Sequence, residues 1–139
     1  MALPQAAPSL TACLDTSLIV DAIRGDLAAR EKVVDLVRQG AAGVTPVTLG
    51  FLYIGAYRMG RAGAVQEVRD LERKLRFLPF RPRAARWFGQ IMAHLRRSGR
   101  ETGTEDAMIA AIALDLGMRV VTRDVRHFSR VPGLRVETY

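Results

Sequence analysis

The sequence is poor in cysteine and has no long hydrophobic run. One cysteine, Cys13, among 139 residues excludes an internal disulfide, and its place in an apolar run predicts a buried structural thiol. No run reaches the roughly 18 apolar residues that a transmembrane helix needs. The opening "MALPQAAPSL" lacks the basic region of a signal peptide. We therefore expect a cytoplasmic protein without a membrane partner, in which residues 1–10 form a short flexible tail.

Acidic residues are fewer than basic ones. Twenty-one Lys and Arg against 14 Asp and Glu give a net charge of +7, and the excess is mostly arginine. Such an excess fits a solvated surface, a polyanion partner such as nucleic acid, or an acidic protein partner. The hydrophobic fraction of 49% excludes a disordered chain. At this length the chain is expected to form one domain over residues 1–139.

The chain shows no repeat, linker or low-complexity tract, and short strand patterns alternate with helical ones. The strand candidates are "TACLD", "AGVTP", "MRVVT" and "LRVET", with a further extended piece before Pro79. Between them the pattern predicts helices, two of which would be capped by Thr48 and Thr104, and "RDVRHFSRVPG" is expected to be a loop or short turn. This order predicts an α/β fold, with a small parallel sheet of 4–5 strands and helices on both faces.

Carboxylates follow the predicted strands. Asp15 ends the first strand and Asp124 closely follows "VVT", so both should lie at the edge of the sheet where parallel strands end. Asp106 falls in the first turn of its helix. Each has an ordinary explanation: Asp15 as a helix cap, Asp124 as a turn residue, and Asp106 as a charge favoured by the helix dipole.

Taken together, these carboxylates indicate a cation site. Three acids from separate segments would repel one another at one edge of a sheet unless a cation lay between them. Oxygen ligands suit hard cations such as Mg²⁺ and Mn²⁺. With a basic surface, a site of this kind predicts hydrolysis of phosphodiesters, using one or two metal ions.

Three segments resemble successive motifs of PIN-domain proteins, and the VapC-type toxins of toxin–antitoxin pairs in particular. They are "LDTSLIVDAIRG", "VTPVTLGFLYIGAYR" and "TEDAMIAAIALDLGMRVVTRDVRHFSRVPGLRV". The resemblance runs from about Ala12 to Val136. It implies a PIN-like fold and Mg²⁺- or Mn²⁺-dependent endoribonuclease activity on an RNA such as tRNA or mRNA. It also implies a VapB-like antitoxin partner and a homodimer, with "LGFLYIGAYRMG" and "AGAVQEVRDLERKL" contributing to both contacts.

The resemblance assigns roles to individual residues. It makes Asp15, Asp106 and Asp124 the metal ligands and catalytic acids, and Thr122 a hydroxyl residue that supports the site. Thr16 and Ser17 match the short polar pair after the first acid. Glu105 is kept as a reserve ligand, because neighbouring helical residues point about 100° apart and a first-turn charge is the simpler interpretation.

One position departs from the family. The resemblance predicts a glutamate on the helix after the second strand, where this sequence has Phe51. A phenyl ring cannot bind a hard cation, so metal affinity and activity should fall. The chain could be an inactivated form, could work weakly with three acids and water, or could use Asp21 or Glu105 instead. Alternatively, Phe51 is simply a partly buried aromatic residue of the helix.

The basic residues and histidines are less specific. Arg58, Arg61, Arg123 and Arg126 could contact phosphates or an antitoxin carboxyl group. His127 is interpreted as structural or close to RNA, and His94 as a surface residue. Two rival functions remain from the sequence: a PIN-fold module that binds RNA or protein without cutting it, and a nuclease directed at DNA.

Overall fold

Seven helices and four short strands make up the part of the chain that the computed structural model describes, residues 10–100 and 102–139. The expected N-terminal tail lies outside the described residues, except for Leu10. The elements are β1 Ala12–Leu14, α1 Thr16–Ile23, α2 Leu27–Arg38, β2 Ala42–Gly43, α3 Pro46–Met59, α4 Ala64–Lys74, α5 Pro82–Arg97, α6 Thr104–Asp115, β3 Arg119–Val121, α7 Val125–Phe128 and β4 Val136–Glu137. Within these described ranges, none of the helices has the length and apolarity needed to cross a membrane.

All four strands are parallel, in the order β2-β1-β3-β4. A fifth extended piece joins the β2 edge, where the amide of Val44 donates to the carbonyl of Arg76 and the amide of Leu78 donates to the carbonyl of Val44, both at 2.9 Å. This is the extended piece expected before Pro79. The sheet confirms the predicted α/β class with a small parallel sheet.

Alternating side chains of the central strands enter two separate cores. Cys13 and Val120 pack with α5 and α6 on one face of the sheet, whereas Leu14 and Val121 pack with α1 to α4 on the other. Successive side chains of a strand point to opposite faces, so each strand needs helices on both sides. Cys13 is completely buried, which confirms the predicted buried thiol. Burial, with a smaller contribution from Asp15, raises the pKa of this thiol to about 12.

Several local predictions need correction. Thr45, not Thr48, is the N-cap of α3, and its hydroxyl accepts from the Thr48 amide. The reason is Pro46, whose fixed φ and missing amide proton suit the first helical position, so that the helix starts three residues earlier. Gly103 precedes α6 in the cap position, and Thr104 is its first residue. The expected turn after β3 contains a four-residue helix, α7.

Candidate active site

Asp15 lies where β1 passes into α1, and its two carboxylate oxygens have different environments. Oδ2 accepts hydrogen bonds from the hydroxyls of Ser17 and Thr122, both at 2.8 Å, and a longer one from the Ser17 amide at the start of α1. Oδ1 is buried and has no hydrogen-bond partner. Asp15 is therefore the helix cap that the simple interpretation predicts, and it also keeps one oxygen free for a ligand.

Thr122 connects the two strand ends. Its side chain is completely buried; its hydroxyl donates to Asp15 and accepts from the amide of Asp124 at 2.8 Å. The Ser17 hydroxyl lies 3.2 Å from the Thr122 hydroxyl oxygen. Thr122 thus fixes the backbone that leads to Asp124 relative to the Asp15 carboxylate.

Asp106 is partly buried in the first turn of α6 and faces the other acids. Burial raises its pKa to about 6, with further contributions from the negative charges of Asp15, Glu105 and Asp124 and an opposing one from His127. Since a carboxyl group loses its proton more easily in water than beside other carboxylates, this shift reflects the repulsion inside the pocket as well as burial.

Glu105 also lines the pocket, although its place next to Asp106 on α6 predicted a side chain that points away from the other acids. The Thr16 hydroxyl lies 3.0 Å from a Glu105 carboxylate oxygen and 3.0 Å from the Thr48 hydroxyl. Because a hydroxyl has one proton, the charged carboxylate is its natural acceptor. Burial raises the pKa of Glu105, the Thr16 hydrogen bond lowers it, and the charge of Asp15 adds to the increase.

Asp124 forms a pair with His127 across one turn of α7. The Nδ1 atom of His127 lies 2.5 Å from Oδ2 of Asp124. Asp106, Asp124 and His127 each place one ligand atom within 4.8 Å of the others. His127 was not among the residues proposed as ligands from the sequence, although its spacing of three from Asp124 would have placed the two side chains together in a helix.

Most of the residues named above line one pocket of about 390 Å³. Asp15, Asp106, Asp124 and Glu105 provide its carboxylates, and the rest of its wall is formed by Thr16, Ser17, Val20 and Arg123. The donor set is rich in oxygen, and the buried Oδ1 of Asp15 lacks a partner. Both properties fit a divalent cation, because buried polar atoms are nearly always paired and buried charges need a counter-charge.

Arg123 is the basic residue at this pocket. Its guanidinium forms an ion pair with Asp21 at 2.5 Å, and the Tyr139 hydroxyl donates to the other oxygen of Asp21, also at 2.5 Å. Asp21, one of the acids considered as a replacement ligand, is engaged in these contacts and is not part of the pocket wall. Arg61 forms an ion pair with Glu67, far along the chain from the acids.

Phe51 lies in a different cavity. Its side chain is 43% exposed and lines an apolar groove of about 460 Å³ between α1, α3 and α4, together with Leu52, Gly55 and Leu71. Val20 lines both this groove and the acidic pocket. The ring therefore stands beside the acidic pocket as part of an apolar wall.

Comparisons with known proteins agree with this geometry. A family model described as the PIN domain matches residues 12–134. The chain is similar to the tRNA(fMet)-specific endonuclease VapC of Shigella flexneri, with 33% identity over 127 residues that cover 91% of this chain and 96% of that protein. A chain in the crystal structure of DNA-bound VapBC from Salmonella typhimurium is 30% identical, with a TM-score of 0.79 over 93% of this chain and 98% of that one. The VapBC2 complex from Rickettsia felis bound to promoter DNA, at 21% identity, shares the fold with a TM-score of 0.84 over 94% of this chain and 99% of that one.

Proposed function

The chain belongs to the PIN-domain family and is related to its VapC ribonucleases, and from this premise we propose that it is a metal-dependent endoribonuclease toxin. The reaction would be hydrolysis of an RNA phosphodiester at the acidic pocket. The observation that carries the proposal is the Oδ1 atom of Asp15, which is buried without a partner beside three further carboxylates. A bound divalent cation would supply the missing partner and relieve the repulsion that contributes to the raised pKa of Asp106.

The roles follow from the contacts. Asp15, Asp106 and Asp124 would hold Mg²⁺ or Mn²⁺, with Glu105 as the reserve ligand at the same wall. When bound, such a cation supplies an activated water and offsets charge at the scissile phosphate. Thr122 orients Asp15 through its 2.8 Å hydrogen bond.

Among the described residues that line the pocket, Arg123 is the one with a positive charge to bind the substrate backbone. Its guanidinium lies at the wall of the pocket and is largely exposed. Arginine binds phosphate oxygens through two parallel hydrogen bonds, which orient the phosphate as well as attract it. Asp21, which also accepts a hydrogen bond from the Tyr139 hydroxyl, holds this side chain at the site before RNA arrives.

RNA is the substrate that the related proteins and the charge support. The relatives named above include an endonuclease specific for a tRNA, and a net charge of +7 favours a polyanion despite the acids in the pocket. We propose tRNA or mRNA as the substrate class.

A protein partner is part of the same proposal. VapBC structures contain a toxin together with its antitoxin, and the apolar groove beside Phe51 is of a kind that accepts an amphipathic helix. We propose a VapB-like antitoxin as its occupant. Ile54 and Tyr57 of α3 are large apolar side chains that are about half exposed or more. Such exposed apolar side chains support the expected homodimer.

Replacing Asp15 by Asn tests the proposed reaction. We expect the full chain with Mn²⁺ or Mg²⁺ to cut RNA and a chelator to stop cleavage. Asp15→Asn should lower the cleavage rate by about a hundredfold or more, because loss of a direct metal ligand should reduce activity at least as much as loss of a residue that orients a ligand. Asp35→Asn is the matched control, since it removes the same charge from an exposed position on α2. Equal rates for Asp15→Asn and the native chain would show that the site is wrongly assigned.

A Phe51→Glu variant in the same assay tests the departure from the family. We expect it to raise Mn²⁺ affinity in calorimetry and the cleavage rate, because it restores the acid predicted beside the pocket. If neither changes, position 51 does not reach the site. RNA binding without cleavage in both chains would instead favour the non-catalytic binding module.

A further inference from the structure

Among the described residues, His127 is the only one that brings a metal-binding nitrogen to the pocket acids. One ligand atom of His127 lies within 4.8 Å of one oxygen each from Asp106 and Asp124. Asp106 comes from α6, whereas Asp124 and His127 come from the start and middle of α7. Donor atoms from two separate segments therefore converge at one point. Asp15, whose Oδ1 is buried without a partner, lines the same pocket as Asp106 and Asp124.

The ion pair between Asp124 and His127 does not account for this arrangement. Its partners are 40% and 45% exposed, and exposed pairs of this kind add between zero and about 1 kcal/mol to stability. Nor does the pair explain why Asp106 lies beside it, or why the pocket contains a buried Asp15 oxygen without a partner. A cation held in this pocket would account for both.

On the basis of the proposed metal-dependent function, we propose that His127 is a nitrogen ligand of the cation in the acidic pocket. The donor set would then be Asp15, Asp106, Asp124 and His127. Three carboxylates alone would suit Mg²⁺ and Mn²⁺ alike, but an imidazole is a ligand for first-row transition metals and a poor one for Mg²⁺. The site would therefore select Mn²⁺ over Mg²⁺.

This assignment bears on position 51. The resemblance predicts a glutamate there, and Phe51 contributes to the apolar groove instead. A nitrogen donor from α7 would bring the number of protein ligands back to four. The cost of losing one acid would then fall on Mg²⁺ affinity more than on Mn²⁺ affinity.

The experiment is pulsed electron paramagnetic resonance of Mn²⁺ bound to the full chain. Directly bound imidazole nitrogen gives a characteristic modulation of the spin echo, and the chain contains only two histidines. We expect this modulation in the native chain and in His94→Gln, and its loss in His127→Gln. His94 is an exposed residue of α5, so the control removes the same side chain away from the pocket.

Two further measurements complete the test. Labelling the native chain with histidine that carries the heavy nitrogen isotope should shift the modulation frequency, which requires no variant to fold. Calorimetry should show Mn²⁺ affinity falling about tenfold or more in His127→Gln, with little change for Mg²⁺. If the native chain binds Mn²⁺ without nitrogen modulation, and Asp15→Asn abolishes this binding, only the role of His127 is overturned. Failure of the native chain to bind Mn²⁺ overturns this role together with the metal dependence of the proposed function.

Discussion

At the scale of single residues, Asp15 shows how a structural role and a proposed functional role can share one side chain. Oδ2 accepts all of its hydrogen bonds, from Ser17 and Thr122, and so fixes the carboxylate plane. Oδ1 is thereby held in a buried position without a partner. A helix cap at the end of a strand is therefore an efficient way to orient a metal ligand, because the cap provides the rigidity that the ligand needs.

Asp106 should make the metal-free protein less stable as the pH rises. The folded state raises its pKa from 3.8 to about 6, so between these values the folded chain keeps a proton that the unfolded chain has lost. Stability falls through that window, and the full penalty is present above it. Because Asp106 is partly solvated, screening reduces the penalty to on the order of 1 kcal/mol. In a chelator, Asp106→Asn should therefore raise the urea midpoint at about pH 7.5 and leave it unchanged at about pH 3.5.

The control for this measurement is Asp35→Asn, which alters the same charge at an exposed site. It should shift neither midpoint. An Asp106→Asn variant that is equally or less stable than the native chain at the higher pH would contradict the repulsion argument.

Much of the candidate site follows from residue types and their spacing. The rule that parallel strands end at one edge brings Asp15 and Asp124 together, and the resemblance adds Asp106 and Thr122. The spacing alone could not place Glu105, whose position depends on a hydrogen bond from Thr16 across 89 residues. It also could not reveal the contact of Asp124 with His127, because a helix of four residues has too little periodicity to recognise.

At the scale of elements, Gly43 allows β2 to lie against the extended piece that follows α4. A Cβ atom added at Gly43 would be 2.6 Å from Cδ2 and 2.9 Å from Cγ of Leu78, and Leu78 is a core residue. Overpacking of this kind costs about 1–3 kcal/mol. Gly43→Ala should therefore lower the free energy of unfolding by that amount, measured by urea denaturation.

A double-mutant cycle separates this clash from other causes. Leu78→Ala should cost about 2–5 kcal/mol by itself, and adding Gly43→Ala to it should cost little more, because the clashing atoms are gone. Gly50→Ala is the matched control: no atom lies within 4 Å of a Cβ atom added at Gly50, and its place inside α3 predicts a gain of about 0.5–1 kcal/mol. Full additivity of the two losses would rule out the steric explanation.

The type and order of the elements were predictable from the sequence. Where each element ends was not, because neighbouring residues that favour a helix start can cut a strand short. Alternating apolar runs and capping residues were sufficient for the parallel sheet and its helices. The strands are only two or three residues long, so a run such as "AGVTP" overestimates β2, whose continuation is taken by Pro46 and α3. The proline moved the cap from Thr48 to Thr45 and left Thr48 buried against Thr16.

At the scale of the whole molecule, α1 separates two cavities of opposite character. One side of the helix closes the acidic pocket and the other closes the apolar groove, with Val20 at the wall of both. Phe51 belongs to the groove. An occupant of the groove would therefore lie directly beside the proposed catalytic acids, which gives a partner a short route to block access of RNA.

The groove can be tested without disturbing the acids by filling it from α3. Gly55 lines the groove and no atom lies within 4 Å of a Cβ added there, so Gly55→Leu should fold normally while its side chain occupies the space of the partner. We expect the affinity for the proposed VapB-like antitoxin to fall about thirtyfold or more, equivalent to ~2 kcal/mol, with RNA cleavage by the free chain unchanged. Gly50→Leu makes the same change at an exposed position of α3 that does not line the groove, and should bind the antitoxin as the native chain does. Equal antitoxin affinity of Gly55→Leu and Gly50→Leu, measured by calorimetry, would place the partner elsewhere on the molecule, because no ligand seated on the floor of the groove could tolerate the added side chain.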